Sequence, residues 1–266
     1  MTRTFVRRHA LATFVVLACA FSWWLIPIAG NPLGAGPFLA AVVVLAVVEG
    51  RDGVIELGKQ IVRWRVRWHW YALALLLPAL AAVAAAVVTI RLGAPAPTDA
   101  QLSAWTEIPV SFFLVLLVPL FGPWEEPGFR GYALTTLMER RPVIAAGLLV
   151  GMIQVVWHLP LFLSGDIPAA DVVYILAAGP VFAWIVVGSG RSVLMAMLMH
   201  ASSNAVSGEF VSPMFGGGDE ETLGWVRAGI WVVFALGAVL LSRRSRDGDR
   251  AGFRVRETGA ARRAAV

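Results

Sequence analysis

The stretch YALALLLPALAAVAAAVVTI, residues 71–90, runs for twenty residues without a formal charge. As an α-helix rising 1.5 Å per residue it covers the roughly 30 Å of a bilayer's hydrocarbon core. Lipid cannot satisfy backbone N–H and C=O groups, so a chain crossing it must be helical or a closed barrel. A continuous apolar run without period-two alternation selects the helix. Similar runs recur along the chain. With 266 residues, 58% of them hydrophobic, and a mean hydropathy of +0.74, the fold class is all-α, a polytopic transmembrane helical bundle.

Eight spans are predicted: 9–29, 34–49, 70–92, 105–122 continuing into a polar-interrupted helix to 139, 142–163, 170–188, 191–208 and 224–242. Arginine orients them. Arg3, Arg7 and Arg8 precede the first span; Arg51, Lys59, Arg63, Arg65 and Arg67 follow the second; Arg140 and Arg141 separate the fourth and fifth, and Arg191 the sixth and seventh. The alternate loops GAPAPTDAQLSA, SGDIPAAD and EFVSPMFGGGDEETLG contain no Lys or Arg. By the positive-inside rule both termini are cytoplasmic, in a cell membrane. Residues 1–242 form one transmembrane domain, with the polar motifs inside 105–208. The arginine-rich tail, 243–266, has too little apolar surface to fold and is expected to be disordered.

The net charge of +5 does not indicate nucleic acid, because the cations are dispersed at membrane edges rather than gathered on a folded face. In GKQIVRWRVRWHWY the rings of Trp64, Trp68 and Trp70 alternate with arginines, a pattern suited to the headgroup level and to anionic lipid. The single cysteine, Cys19, excludes an intramolecular disulfide. The segment VLACA has the look of a processing site, but the apolar run continues past it through Ile28, so a retained span is expected. One lysine against twenty-one arginines is compatible with a bacterial genome rich in G and C.

Against this solvent, a few polar residues stand out: Glu125, Glu126 and Arg130 in FGPWEEPGFRGYAL, His158 with Gln154, and His200 with Asn204 in MLMHASSNA. Each ionised group at depth costs roughly 2.5–3.5 kcal/mol on insertion scales, so the set demands a shared polar pocket. Glu126 and Arg130 are four apart on one helical face, whereas Glu125 points about 100° away. Pro127 must kink or restart the helix beside the glutamates, and irregular backbone at membrane depth lines cavities. Glu125 and His158 are nearly equidistant from the turn at Arg141 and Pro142, so a helical hairpin brings them to one height. His200 and Asn204, four apart, face the same way. Taken singly, the bland readings compete: Glu126 with Arg130 as a structural ion pair, one buried histidine as core, Asn204 as interhelical glue. Their joint occurrence over three spans favours a site.

EEPGFR fits Glu-Glu-x-x-x-Arg, His158 stands where a second signature has its histidine, and HASSN fits His-x-x-x-Asn. In order and spacing these residues resemble the CPBP family of intramembrane peptidases, which includes the type II CAAX prenyl endopeptidases and bacterial bacteriocin-processing or self-immunity proteins. The second signature departs, with Gln154 where the family usually has Phe. The resemblance implies that Glu125 and His158 activate a water for attack on a peptide carbonyl. It implies that His200 and Asn204 stabilise the oxyanion, with Glu126 and Arg130 in support, and that the substrate is a membrane-associated peptide or protein. The cofactor stays open: Glu125, His158 and His200 could also supply a zinc site, although no His-Glu-x-x-His pair is present. Ser202 and Ser203 offer a weaker nucleophilic reading without a Gly-x-Ser-x-Gly elbow. Two other classes compete: a proton-coupled transporter using the glutamates and histidines as a relay, and a non-catalytic membrane or immunity scaffold.

Overall fold

A computed structural model describes the backbone of residues 3–264 and the side chains of residues 6–242. Among the described residues every regular element is helical. Helices α1 (Arg3–Arg8), α2 (Ala10–Trp23), α3 (Ile26–Ala29), α4 (Gly36–Val48) and α5 (Arg51–Ile61) open the chain, and α6 (Trp68–Arg91) contains the apolar run. The short α7 (Asp99–Ser103) passes through a 3₁₀ turn, Ala104–Glu107, into α8 (Ile108–Leu117). After a second 3₁₀ turn, Gly122–Glu125, a π-helix, Pro127–Ala133, leads into α9 (Leu134–Met138). There follow α10 (Val143–Trp157), α11 (Leu159–Ser164), α12 (Ala170–Gly188), α13 (Val193–Ser202), a second π-helix, Ser203–Val211, and α14 (Gly218–Ala264). The backbone of α14 remains helical past Arg243, where composition alone predicts disorder; the side chains there lie outside the described residues.

Five helical stretches are long and apolar enough to cross a membrane: Ala10–Ala29, Trp68–Arg91, Asp99–Glu125, Ala170–Gly188 and Gly218–Ser242. Gly36–Val48 and Val143–Trp157 are shorter and equally apolar. The run expected at 191–208 is divided between α13 and the second π-helix. Large apolar side chains such as Leu76, Leu80 and Val87 of α6 face outward, as they do in a protein solvated by lipid.

Small residues set the helix crossings that hold the site. Gly147 and Gly151 of α10 lie against α12, where a Cβ on Gly147 would stand 2.7 Å from the Gly179 carbonyl oxygen and one on Gly151 3.1 Å from that of Ile175. This is the close backbone approach that small-xxx-small spacing allows between membrane helices. It fixes α10, which ends at His158, against α12. A chain of edge-to-face aromatics crosses the core from Phe14 to Phe129 (6.0 Å between centroids) and on to Trp157 (6.1 Å). The Trp23 indole N–H donates to the Trp157 carbonyl at 2.9 Å.

The two ends of the bundle differ in charge. At one, Arg7 donates to the Val48 carbonyl, Ser192 to the Arg63 carbonyl and Arg191 to the Thr135 hydroxyl, so the arginine-bearing loops close against each other. At the other, the last turns of α6, residues 211–215 and the start of α14 pack around a second apolar cluster that includes Ala94, Phe215 and Leu223.

Candidate active site

The site is built on irregular backbone. The Gly34 and Ala35 amides donate to the Leu120 and Pro119 carbonyls at 3.1 and 2.9 Å, so the loop ahead of α4 holds residues 118–121 in place. Pro123 then lies within the first two positions of a 3₁₀ turn, and Pro127 likewise opens the π-helix, positions at which a backbone N–H has no partner within the helix to lose. The restart predicted at Pro127 is present, and Glu125 and Glu126 fall at the junction of the two irregular turns.

The two carboxylates have different surroundings. Glu126, 1% exposed, meets Arg130 Nη1 at 3.1 Å through Oε2 and His200 Nδ1 at 2.7 Å through Oε1. The Arg130 guanidinium also lies 4.6 Å over the Phe182 ring. Glu125, 4% exposed, has an Oε2 with no hydrogen-bond partner. The pairing read from the four-residue spacing is therefore present. The bond from Glu126 to His200, across 74 residues, was not legible there.

His158 closes α10, and its Nδ1 lies 2.9 Å from the Gln154 carbonyl oxygen. A carbonyl only accepts, so Nδ1 carries the proton and Nε2 of the neutral ring keeps its lone pair. The Gln154 side chain, 5% exposed, is within interaction range of the Glu125 carboxylate. The residue that departs from the family's second signature thus touches both His158, through its backbone, and Glu125, through its amide.

Gly122 approaches the opposite wall closely. A Cβ there would lie 2.6 Å from His200 Nε2 and 3.3 Å from Asn204 Nδ2, so glycine lets this turn pass the His200 and Asn204 side chains without displacing them. His200 lies on α13 and Asn204 on the following π-helix, and both face the same space, as their spacing predicts.

Glu125, His158, His200 and Asn204 all border two adjoining cavities. The smaller, about 250 Å³, also has Glu126, Arg130, Gln154 and Tyr174 in its wall. The larger, about 1100 Å³, runs between the turn from α2 to α3 and helix α8. Every residue expected at the site is thus brought together. Missed in the sequence was the far wall of the small cavity, where Arg227 bonds Asp171 (2.5 Å) and Ser207 (2.8 Å) and lies 5.0 Å over the Tyr174 ring. An arginine inside the last predicted span was the available signal. Among the described residues no group of three His, Cys, Asp or Glu side chains is disposed to hold a metal ion. Glu125, His158 and His200 are not among such a group.

Residues 104–206 match the family model described as type II CAAX prenyl endopeptidase Rce1-like. The chain is also similar to a CAAX prenyl protease 2 of Methanococcus maripaludis, 29% identical over 105 residues. That alignment covers 35% of this chain and 37% of the relative, so the chain spans little over a third of the curated relative it matches. The family-model match covers the stretch that carries the site, and over it the resemblance to CPBP-type peptidases holds.

Proposed function

We propose that the protein is an intramembrane endopeptidase that hydrolyses a peptide bond of a membrane-associated protein or peptide, with Glu125 and His158 activating the water. One observation carries this reading: the unpartnered Glu125 Oε2 and the accepting His158 face the same cavities as His200 and Asn204. A water between Glu125 and His158 Nε2 gives up a proton as its oxygen attacks the carbonyl carbon. The carbonyl oxygen becomes an oxyanion, and the abstracted proton passes to the leaving amine as the C–N bond breaks. His200, its Nδ1–H held by Glu126, presents Nε2–H as an imidazolium, and Asn204 presents its amide N–H. Donors preorganised where charge develops are the larger part of such catalysis. The substrate is a CAAX-type or signal-peptide-like segment.

Around the site, both termini are cytoplasmic, and Trp64 and Trp68, exposed beside Arg65, lie at the headgroup level against anionic lipid. The test is cleavage of a membrane-anchored peptide library by purified protein, with the products sequenced. Glu125→Gln keeps the shape and removes the base, so cleavage falls by about 10²- to 10⁴-fold while thermal stability holds. Undiminished cleavage by both Glu125→Gln and His158→Ala would refute the site. Proton-linked solute flux in liposomes without any cleavage would replace the peptidase with a transporter.

A further inference from the structure

The larger cavity is a groove with an apolar floor and an acidic rim. Leu25 and Ala29 form one wall and Val110 and Leu114 of α8 the other. Little of the apolar stretch within Asp99–Glu125, which includes α8, is buried, whereas more than half of that within Ala170–Gly188 is. The groove's inner end reaches the Glu125 carboxylate, whose Oε2 has no hydrogen-bond partner, and its lining includes Glu107 and Glu209 but no Lys or Arg. Both of these glutamates are exposed. They stand on the 3₁₀ turn Ala104–Glu107 and the π-helix Ser203–Val211, which pack against each other. This is the end of the bundle opposite the arginine loops. Asp166, Glu220 and Glu221 are exposed there as well; of the arginines at this end, Arg91 closes α6 outside the groove lining and Arg227 is held by Asp171.

We propose that the groove receives the apolar segment of a membrane-anchored peptide flanked by a cationic residue, and that Glu107 and Glu209 select that charge. The proposal deepens the peptidase reading and rests on it. An apolar trough ending at a reactive carboxylate suits an extended hydrophobic stretch, and two carboxylates with no cation in the groove wall favour Lys or Arg beside it. They equally disfavour a phospholipid, whose phosphate would meet like charge at the mouth.

The experiment uses the full chain in detergent and three fluorescent membrane-anchored peptides that differ only in the flanking residue: Lys, Gln or Glu. Binding and cleavage are measured separately, for the wild type and for Glu107→Gln, Glu209→Gln and the double variant. These substitutions are isosteric and exposed, so folding is not at stake. The Lys peptide is expected to bind tightest and the Glu peptide weakest. Each single substitution should raise Kd and KM for the Lys peptide by about three- to fivefold without changing kcat, as for exposed ion pairs. The double variant should bind the Lys and Gln peptides alike, and the wild-type preference should shrink in high salt. Equal binding of all three peptides by the wild type, a preference that survives in the double variant, or displacement of every peptide by phospholipid alone overturns the proposal. Charge-selective binding without cleavage would sustain the groove and sink the peptidase, whereas cleavage without charge selection would do the reverse.

Discussion

His200 Nδ1 stands 2.7 Å from Glu126 Oε1, while Arg130 Nη1 stands 3.1 Å from the other oxygen of the same carboxylate. One buried anion thus joins the motif turn to α13 and fixes which ring nitrogen of His200 is turned away, toward Gly122. In the proposed mechanism Glu126 orients the site and its neighbour Glu125 reacts. At the junction of the 3₁₀ turn and the π-helix the adjacent carboxylates part, Glu126 entering the ion pair and Glu125 keeping an oxygen without a hydrogen bond at the cavity.

Arg130→Ala leaves Glu126, 1% exposed, with His200 as its remaining ion-pair partner among the described residues. Removing one member of a buried pair costs about 3–5 kcal/mol because the remaining charge stays desolvated. The expected result in detergent is a clear drop in thermal stability together with activity. A melting temperature equal to the wild type's would mean that the pair is hydrated and would turn attention to Arg130 as a substrate contact.

Much of this arrangement was legible in the sequence, for reasons that also explain the gaps. The pairing of Glu126 with Arg130 could be read from their four-residue spacing, and the hairpin expectation agrees with Glu125 and His158 bordering the same cavities. The contact from His200 to Glu126 depends on how α13 crosses the motif turn, and two π-helices alter that register where a 3.6-residue period would mislead. Gln154 read as a departure because a family pattern records residue types; its role depends on a backbone carbonyl. Asp171 was assigned to a span edge and Arg227 overlooked, although a charge at that depth is its own signal.

Topology is open to direct measurement. The arginine loops tie together at one end of the bundle through Arg7, Arg63 and Arg191, and the positive-inside rule assigns that end to the cytoplasm. Reporter fusions after Val48, Arg141 and Gly190 should read internal, and those after Leu92, Asp166 and Gly217 external. Reversed signals at two or more positions would overturn the assignment, and with it the prediction that the acidic rim faces outward.

Chelation addresses the metal. With no three ligating side chains converging among the described residues, protein stripped exhaustively and shown free of zinc by elemental analysis should cleave at the wild-type rate. Activity that disappears on stripping and returns with zinc would bring Glu125, His158 and His200 into a coordination shell and require the cavity to close further around an ion.

Gly122 separates positioning from chemistry. A Cβ at this position would meet His200 Nε2 at 2.6 Å and Asn204 Nδ2 at 3.3 Å. Gly122→Ala must therefore push both side chains back or shift the turn that leads into Glu125. The substitution adds one methyl beside a cavity and removes no ion pair, so the fold should persist. A misplacement of about 1 Å in a reacting group can cost roughly 10²-fold in rate. Asn204→Ala, which deletes one of the proposed oxyanion donors without moving the turn, should cost about 10²- to 10³-fold in kcat with KM little changed. If the loss in Gly122→Ala arises through these same two donors, then adding Asn204→Ala to it should cost much less than it does alone. Full additivity of the two substitutions, measured as kcat/KM on one peptide, would place the effect of Gly122 at Glu125 instead. Wild-type rates in Gly122→Ala would show that His200 can withdraw without consequence, and would remove it from the proposed oxyanion site.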